Sequence, residues 1–286
     1  MLRSNIAEMV VICMVFIICL LVGMITAFVG SMLGLGGGII FIPTMLFLAD
    51  QFTAFEWAKP QTIVGLSLVA MIFTAMSSTI SYTKKGRVDF RTGAILLLGS
   101  IPGGILGAWI NQFVNTDQFN LYFGLFVIGL AILMFVKREP KTDQTSSPNE
   151  RKLRRFVVDG EVHEYSISVP FAFAISVIVG TVSGLFGIGG GSIVVPALIL
   201  LFYVPPHVAT ATSMFMILVT SFFGSLTHIY LGHIIWSYAL FFIPGAWIGG
   251  FLGAKVNQLL KGSILKWLLR IILIVIGIRL ILEGMS

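Results

Sequence analysis

The sequence predicts an all-α polytopic membrane protein made of two inverted-topology repeats of about five helical segments each. Three observations predict this fold class: an apolar composition, a series of apolar segments of about bilayer length, and an internal duplication whose loop charges are reversed. Of the 286 residues, 57% are hydrophobic and only 10% are charged, and the mean hydropathy is +1.00. Because a soluble domain carries about 25% charged residues, we expect the chain to fold in a lipid bilayer.

Ten apolar segments recur along the chain, five before and five after a polar stretch. A helix needs about 20 apolar residues to cross a hydrocarbon core about 30 Å thick. The second segment of each half is too short for this, so the sequence predicts eight full crossings if these two are re-entrant and ten otherwise. The segments cover residues 9–29, 39–49, 61–82, 92–111, 119–136, 168–186, 192–203, 207–230, 235–256 and 264–282.

The polar stretch divides the chain into a first membrane repeat (1–136), a linker (137–167) and a second membrane repeat (168–286). The linker holds seven of the 18 basic residues and six of the 12 acidic ones. Its second half places Asp159-Gly160 between two short runs of strand-forming residues, which favours a β-hairpin. A disordered linker fits the same composition nearly as well.

The two membrane parts are copies of one another. GLGGGIIFIP (34–43) aligns with GIGGGSIVVP (187–196) at an offset of 153 residues. Further along the offset is 146, at which Ser67 aligns with Ser213 and ILGAWINQ (105–112) with FLGAKVNQ (251–258). Seven extra residues within DQFTAFEWAKP of the first half explain the change. Such a repeat indicates an internal duplication.

Loop charges predict the relative orientation of the halves, since Lys and Arg are enriched in cytoplasmic loops. The loop 82–91 carries four basic residues, whereas its counterpart 231–236 carries only His233. Conversely, the turn 111–118 has no basic residue and its counterpart region carries Lys255, Lys261 and Lys266. Equivalent loops are therefore predicted on opposite sides, with the linker in the cytoplasm and both termini outside.

Each short segment follows a glycine run and contains a proline. Irregular backbone at membrane depth is tolerated only where it is buried or lines a cavity. The glycines favour a break between two helices, and Pro43 and Pro196 are expected in the first turn of the helix that follows. Each half is thus predicted to contain a helix, a glycine break and a short helix.

The two breaks are predicted to bind an anion. A helix that starts after glycines presents free N–H groups and the positive end of its dipole. In an inverted repeat, two such starts converge near the midplane from opposite faces. Neither motif contains Arg or Lys, so the predicted site has no charged side chain. Its residues are Gly36, Gly37, Gly38, Pro43, Gly189, Gly190, Gly191 and Pro196.

The alternative is that these glycines only allow helices to approach closely. Two equivalent triple glycines, each with a proline five residues beyond the last glycine, favour the binding site. The other glycine clusters have no following proline and are predicted to be packing surfaces. They comprise Gly103, Gly104, Gly107, Gly249, Gly250 and Gly253.

The paired motifs, the duplicated halves and the basic linker resemble the sulfite exporter TauE/SafE family, also called the TSUP family. The resemblance covers nearly the whole chain. It implies a bacterial inner-membrane transporter of sulfur-containing anions such as sulfite, sulfonates or sulfoacetate, and it does not fix the substrate because members differ. The family signature falls on the triple glycines and on Pro43 and Pro196, and it brings no catalytic residue.

Polar residues at the starts of the third and eighth segments are further predicted contacts for the anion. Their side chains add donors without adding charge. The alternative is that Ser and Thr bond to their own helix backbone, as is common in membrane helices. The predicted set is Gln61, Thr62, Ser67, Thr210, Thr212 and Ser213.

An enzyme is not predicted. No nucleophile has a matched base, the four histidines lack zinc-ligand spacing, and no phosphate-binding loop ends in Gly-Lys-Ser/Thr. We therefore predict no metal and no cofactor, and no nucleic-acid partner because the basic residues lie between apolar segments. No Asp or Glu lies deep in a segment, which leaves His228 as a candidate for proton coupling or, alternatively, as an interfacial residue bonded to water.

The leading hypothesis is a secondary transporter of the bacterial cell membrane that exports small sulfur-containing anions by alternating access. A passive anion channel, an uptake carrier for thiosulfate or another sulfur compound, and a membrane subunit that docks soluble partners through residues 137–167 are the alternatives. The predicted partners are a small anionic substrate and the lipid bilayer. The sequence indicates no oligomeric state.

Overall fold

The computed structural model describes residues 2–114, 116–133, 153–158, 161–166 and 168–285. Within them the chain forms ten α-helices and two β-strands, with a short 3₁₀ helix, Thr53–Phe55, between the second and third helices. The elements are α1 Leu2–Leu33, α2 Gly38–Gln51, α3 Pro60–Thr83, α4 Phe90–Asn111, α5 Thr116–Leu133, β1 Leu153–Val158, β2 Glu161–Ser166, α6 Val169–Phe186, α7 Gly191–Leu200, α8 Pro206–Tyr230, α9 Trp236–Leu259 and α10 Gly262–Met285.

The helices confirm a polytopic all-α membrane protein. Among the described residues, six helices are long and apolar enough to cross a membrane: α1, α3, α4, α6, α8 and α9. Helix α10 has 24 residues but includes four charged ones. Helices α2 and α7 have 14 and 10 residues, about 21 and 15 Å at a rise of about 1.5 Å per residue. Neither is long enough to cross a hydrocarbon core by itself.

Two pairs of equivalent helices, one helix from each half, pack antiparallel. In the α3–α8 pair, Gly65 lies against His228 and Leu68 lies against Gly224, so sequence numbers rise along one helix as they fall along the other. Helices α5 and α10 pair in the same sense. A two-fold axis that relates antiparallel helices runs perpendicular to them, which places it in the plane of the membrane. The predicted inverted-topology repeat is therefore confirmed.

The halves are interlocked through glycine seams. Along α9, the residues Gly245 and Gly249 meet the backbone of Leu20 and Met24 in α1, and the two helices run parallel. Helices α4 and α6 form the equivalent parallel pair, so the first helix of each half packs on the fourth helix of the other. At most of these glycines a Cβ would collide with backbone atoms. The predicted packing role is thus confirmed for Gly103, Gly107, Gly249, Gly250 and Gly253, whereas a Cβ on Gly104 would have its nearest neighbour at 3.8 Å.

The helix starts reflect local sequence. Asp89 precedes α4, and its carboxylate accepts hydrogen bonds from the backbone N–H groups of Arg91 and Thr92, which an N-cap residue is expected to do. Helices α3 and α8 begin with Pro60 and Pro206, at a position where the missing N–H costs nothing. These caps fix where the central helices begin.

The described part of the linker contains two paired β-strands. Strands β1 and β2 pair antiparallel from Leu153 opposite Ser166 to Val158 opposite Glu161. These strands lie on the two sides of Asp159-Gly160, while that dipeptide and residues 134–152 lie outside the described residues, so the hairpin stays a prediction. The cytoplasmic location of the linker stays a prediction.

Candidate functional site

The chain breaks between α1 and α2 as the glycines predict. Helix α1 ends at Leu33, and the chain turns back to begin α2 at Gly38. Gly34, Gly36 and Gly37 have φ values of 78°, 79° and 103°, in the left-handed region that only glycine enters without strain. The second break repeats this geometry. Its φ values are 66° at Gly187, 66° at Gly189 and 76° at Gly190.

The prolines lie deeper in the short helices than the sequence suggests. We expected Pro43 and Pro196 in a first turn, but α2 and α7 already begin at Gly38 and Gly191, which puts each proline in the second turn. The expectation is wrong because the left-handed glycine before each helix serves as the N-cap. Pro43 therefore leaves the carbonyl of Ile39 without its usual intrahelical donor.

The two breaks cross each other on the pseudo-two-fold axis. A Cβ on Gly38 would lie 2.6 Å from the carbonyl oxygen of Gly187, and a Cβ on Gly191 would collide with the carbonyl oxygen of Gly34. These contacts are equivalent under the 153-residue offset. Residues 34–38 and 187–191 therefore run antiparallel in direct backbone contact, which requires that neither Gly38 nor Gly191 carries a side chain.

The starts of α2 and α7 present unbonded N–H groups at this crossing. Neither start has a side-chain cap. In the part of the chain that the structure describes, the N–H groups of three residues at each start donate no hydrogen bond to a protein acceptor. They belong to Gly37, Gly38 and Ile39 and to Gly189, Gly190 and Gly191. Together with the helix dipoles they make the crossing favourable to negative charge.

Met71 and Ile217 lie across both breaks. They are equivalent under the 146-residue offset, and a Cβ on either Gly36 or Gly189 would meet both side chains at 2.8 to 3.1 Å. The central helices α3 and α8 thus contribute one apolar side chain each to the axis. The flexible thioether of Met71 is the more adaptable of the two.

Two of the predicted polar residues fasten the breaks to the central helices. The Ser67 hydroxyl donates to the Gly187 carbonyl at 2.6 Å, and the Ser213 hydroxyl donates to the Gly34 carbonyl at 2.8 Å. Thr210 packs its Cα and methyl group against Gly34. A hydroxyl has one hydrogen, so in this conformation the two serines hold backbone carbonyls.

The remaining predicted polar residues lie at other helix ends. The Gln61 side chain donates to the Val114 carbonyl at 3.0 Å, which joins the start of α3 to the segment after α4. Thr212 accepts a hydrogen bond from the Asp89 N–H at 3.0 Å. Thr62 is half-buried beside Gln61 in the first turn of α3. The structure brings Ser67, Thr210 and Ser213 to the breaks and places Gln61 and Thr212 elsewhere.

A small cavity adjoins the first break. It has room for about one water molecule. Its polar side chains, Thr26, Ser67 and Thr74, each donate to a backbone carbonyl. Donors for an anion here are therefore the backbone N–H groups. The lining residues are Gly23, Thr26, Ala27, Gly36, Gly37, Gly38, Phe41, Ser67, Ala70, Met71 and Thr74.

Two buried asparagines that lie outside the predicted site residues support the breaks. The Asn257 side chain donates to the Met32 carbonyl at 2.6 Å, and the Asn111 side chain donates to the Leu185 carbonyl at 2.8 Å. Each bond caps the helix that ends at a break. The signal was present in the aligned INQ and VNQ of the repeats, because a polar residue duplicated within an apolar segment needs a specific partner.

Inverted repeats whose broken helices meet at a buried centre without charged side chains are the architecture of a membrane transporter. The family model of the sulfite exporter TauE/SafE family matches residues 19–280. The chain therefore belongs to this family.

Curated relatives extend over almost the whole chain. It is 42% identical over 272 residues to the probable membrane transporter protein YunE of Bacillus subtilis (strain 168), which covers 95% of this chain and 99% of that protein. It is 29% identical over 276 residues to the probable membrane transporter protein MJ0441 of Methanocaldococcus jannaschii, with 92% and 94% covered. No solved structure gives a significant match. These findings support a multi-pass bacterial membrane transporter.

Proposed function

We propose that the protein is a secondary transporter that exports small sulfur-containing anions, such as sulfite or organosulfonates. The observation that carries the proposal is the crossing of two helix starts whose N–H groups are unbonded and which have no charged side chain beside them. The name of the family supports a sulfur oxyanion as the cargo. Such an anion presents several oxygens to backbone donors at once.

A neutral site suits transport because it binds weakly. Each helix start stabilises a negative charge by only about 0.3 to 2 kcal/mol. A desolvated Arg or Lys would bind the anion more strongly and slow its release. The site thus favours an anion over a cation and still allows turnover.

The symmetry of the fold supplies a route for alternating access. When two inverted repeats exchange conformations, a site that opens to one side becomes open to the other. The surroundings of the two breaks are not identical. Thr26 lines the cavity beside the first break, whereas the equivalent residue beside the second break is Val179. We infer that rocking of the halves about the crossing moves the anion.

The membrane potential favours export. An interior-negative potential drives an anion outward by about 2.3 kcal/mol per charge per 100 mV. Proteoliposomes loaded with radiolabelled sulfite should therefore lose it faster when an inside-negative potential is imposed. The measurement is the initial rate of efflux against the rate from protein-free liposomes. Efflux that does not respond to the potential would contradict electrogenic export.

The same vesicles separate the alternatives. A carrier gives saturable flux and counterflow, whereas a passive anion channel gives neither. An uptake carrier would accumulate thiosulfate against its gradient under an imposed ion gradient. Flux that continues unchanged after deletion of residues 137–167 would argue against a subunit that acts by docking soluble partners.

A further inference from the structure

Ser221 has a buried hydroxyl that the described residues leave unbonded. It lies on α8, is fully buried, and its Oγ has no hydrogen-bond partner. Hydroxyls around it on α8 behave differently: those of Ser213, Thr220 and Ser225 donate to backbone carbonyls at 2.8 to 2.9 Å. A buried polar group without a partner destabilises the folded state, so this one requires an explanation.

The unbonded hydroxyl lies at the second glycine break. A Cβ on Gly189 would be 3.1 Å from the Ser221 Oγ. The N–H groups of Gly189, Gly190 and Gly191 at the start of α7 are unbonded as well. A side-chain donor and backbone donors thus meet at one place, next to the positive end of a helix dipole.

The repeat shows that the fold does not need this hydroxyl. Ala75 occupies the position equivalent to Ser221 under the 146-residue offset, and it is also fully buried. The same packing environment therefore accepts a methyl group in the first half. The hydroxyl is an addition that is specific to the second half.

We propose that Ser221 is a substrate-binding residue whose hydroxyl donates a hydrogen bond to an oxygen of the transported anion at the start of α7. The inference rests on the proposed function and assigns one side chain to its site. A sulfite ion or a sulfonate group has three oxygens arranged as a pyramid. One oxygen accepts from Ser221 while the others face the backbone N–H groups.

Binding and structural roles predict opposite effects of Ser221→Ala. A structural hydroxyl would lower the melting temperature when removed, whereas removal of an unbonded one leaves the melting temperature unchanged or raises it. If Ser221 holds the anion, the same variant should raise KM about tenfold or more, which corresponds to the loss of one hydrogen bond to a charged group. Vmax should change less.

The experiment measures saturable sulfite, thiosulfate and sulfoacetate flux in proteoliposomes, with melting temperatures of the same proteins in detergent. Ser225→Ala is the matched control, because it makes the same change one turn further along α8 at a hydroxyl bonded to its own helix. Ser221→Cys keeps the volume with a weak donor, so it should resemble Ser221→Ala. Recovery of wild-type KM in Ser221→Cys would assign the effect to volume and overturn the inference.

The outcomes distinguish this inference from the proposed function. If wild-type protein transports an anion and Ser221→Ala has the same KM, the Ser221 assignment is wrong and the proposed function stands. If wild-type protein neither transports nor binds any of these anions, both are wrong. A raised KM with an unchanged melting temperature, against an unaffected Ser225→Ala, supports both.

Discussion

Single glycines at the breaks have two separate roles. Gly36, Gly37 and their counterparts bend the backbone through left-handed φ values, whereas Gly38 and Gly191 have ordinary φ and are needed because another backbone touches them. Both roles exclude larger side chains for different physical reasons. The aligned glycine runs predicted that the chain breaks here, but they did not show which glycine does which.

Hydroxyl groups illustrate why the site is only partly predictable from sequence. The duplication of Ser67 and Ser213 pointed to the breaks, and both reach them. Their acceptors are carbonyls from the opposite half of the chain, a pairing that depends on tertiary packing and leaves no local signal. The sequence places Thr212 next to Ser213, yet in the structure Thr212 accepts a hydrogen bond from the Asp89 N–H.

His233 predicts a pH dependence of stability. It lies in the loop between α8 and α9, and burial lowers its pKa from the ordinary value of 6.5. Its Nδ1 is 3.0 Å from the Nδ1 of His228, an arrangement in which one nitrogen accepts a hydrogen bond. At pH values between this lowered pKa and 6.5, the unfolded chain binds more protons than the folded protein. The contribution of His233 to the free energy of unfolding is therefore complete above about pH 6.5 and decreases as the pH is lowered.

We expect the melting temperature of the purified protein to fall as the pH is lowered from about 7 to about 5. The decrease should be smaller in His233→Asn, because asparagine at this position does not titrate. An equal decrease of the melting temperature in the two proteins across that pH range would show that His233 does not cause the pH dependence.

At the scale of elements, small residues determine where helices can pack closely. Apolar length and glycine spacing predicted the helices and the seams, because both are properties of contiguous sequence. The partners of the seams were not predictable, since nothing local indicates that α4 packs on α6 rather than on its own neighbours. Pro43 predicts a later start for α2 than the structure has. A left-handed glycine can also serve as the N-cap of a helix, and here it determines where α2 begins.

The α4–α6 seam yields a matched pair of substitutions. A Cβ on Gly107 would collide with the Thr181 carbonyl oxygen, whereas a Cβ on Gly104 would have its nearest neighbour at 3.8 Å. Gly107→Ala should therefore lower the stability by about 1 to 3 kcal/mol or more through overpacking. Gly104→Ala should be neutral or slightly stabilising, since alanine is favoured over glycine within a helix by about 0.5 to 1 kcal/mol. Thermal unfolding in detergent measures both; equal melting temperatures would refute the tight α4–α6 contact.

For the whole molecule, symmetry explains how two glycine breaks that are far apart in sequence meet at one centre. The reversed loop charges predicted that the halves are inverted, and the antiparallel α3–α8 and α5–α10 pairs confirm it. Which side of each pair faces the cytoplasm stays a prediction from the loop charges. The axis passes where the two breaks cross, so both halves contribute to one centre.

The central claim is that this crossing binds one anion through the two helix starts. Gly190 is the best position for a test, because a Cβ there has no neighbour closer than 3.5 Å, whereas at Gly37 it would press on the Thr26 carbonyl. Alanine at Gly190 fills the space between the second break and α6. Gly232 has a similar φ, 72° against 76°, and open space around it, so Gly232→Ala is a control that places alanine at another left-handed glycine.

Calorimetric titration of sulfite, thiosulfate and sulfoacetate into the purified wild-type protein and these two variants measures the claim directly. We predict one anion per chain, a Kd about tenfold or more weaker in Gly190→Ala, and an unchanged Kd in Gly232→Ala. Equal affinity in all three proteins, or no binding of any of these anions to the wild-type protein, would contradict an anion site at the crossed breaks.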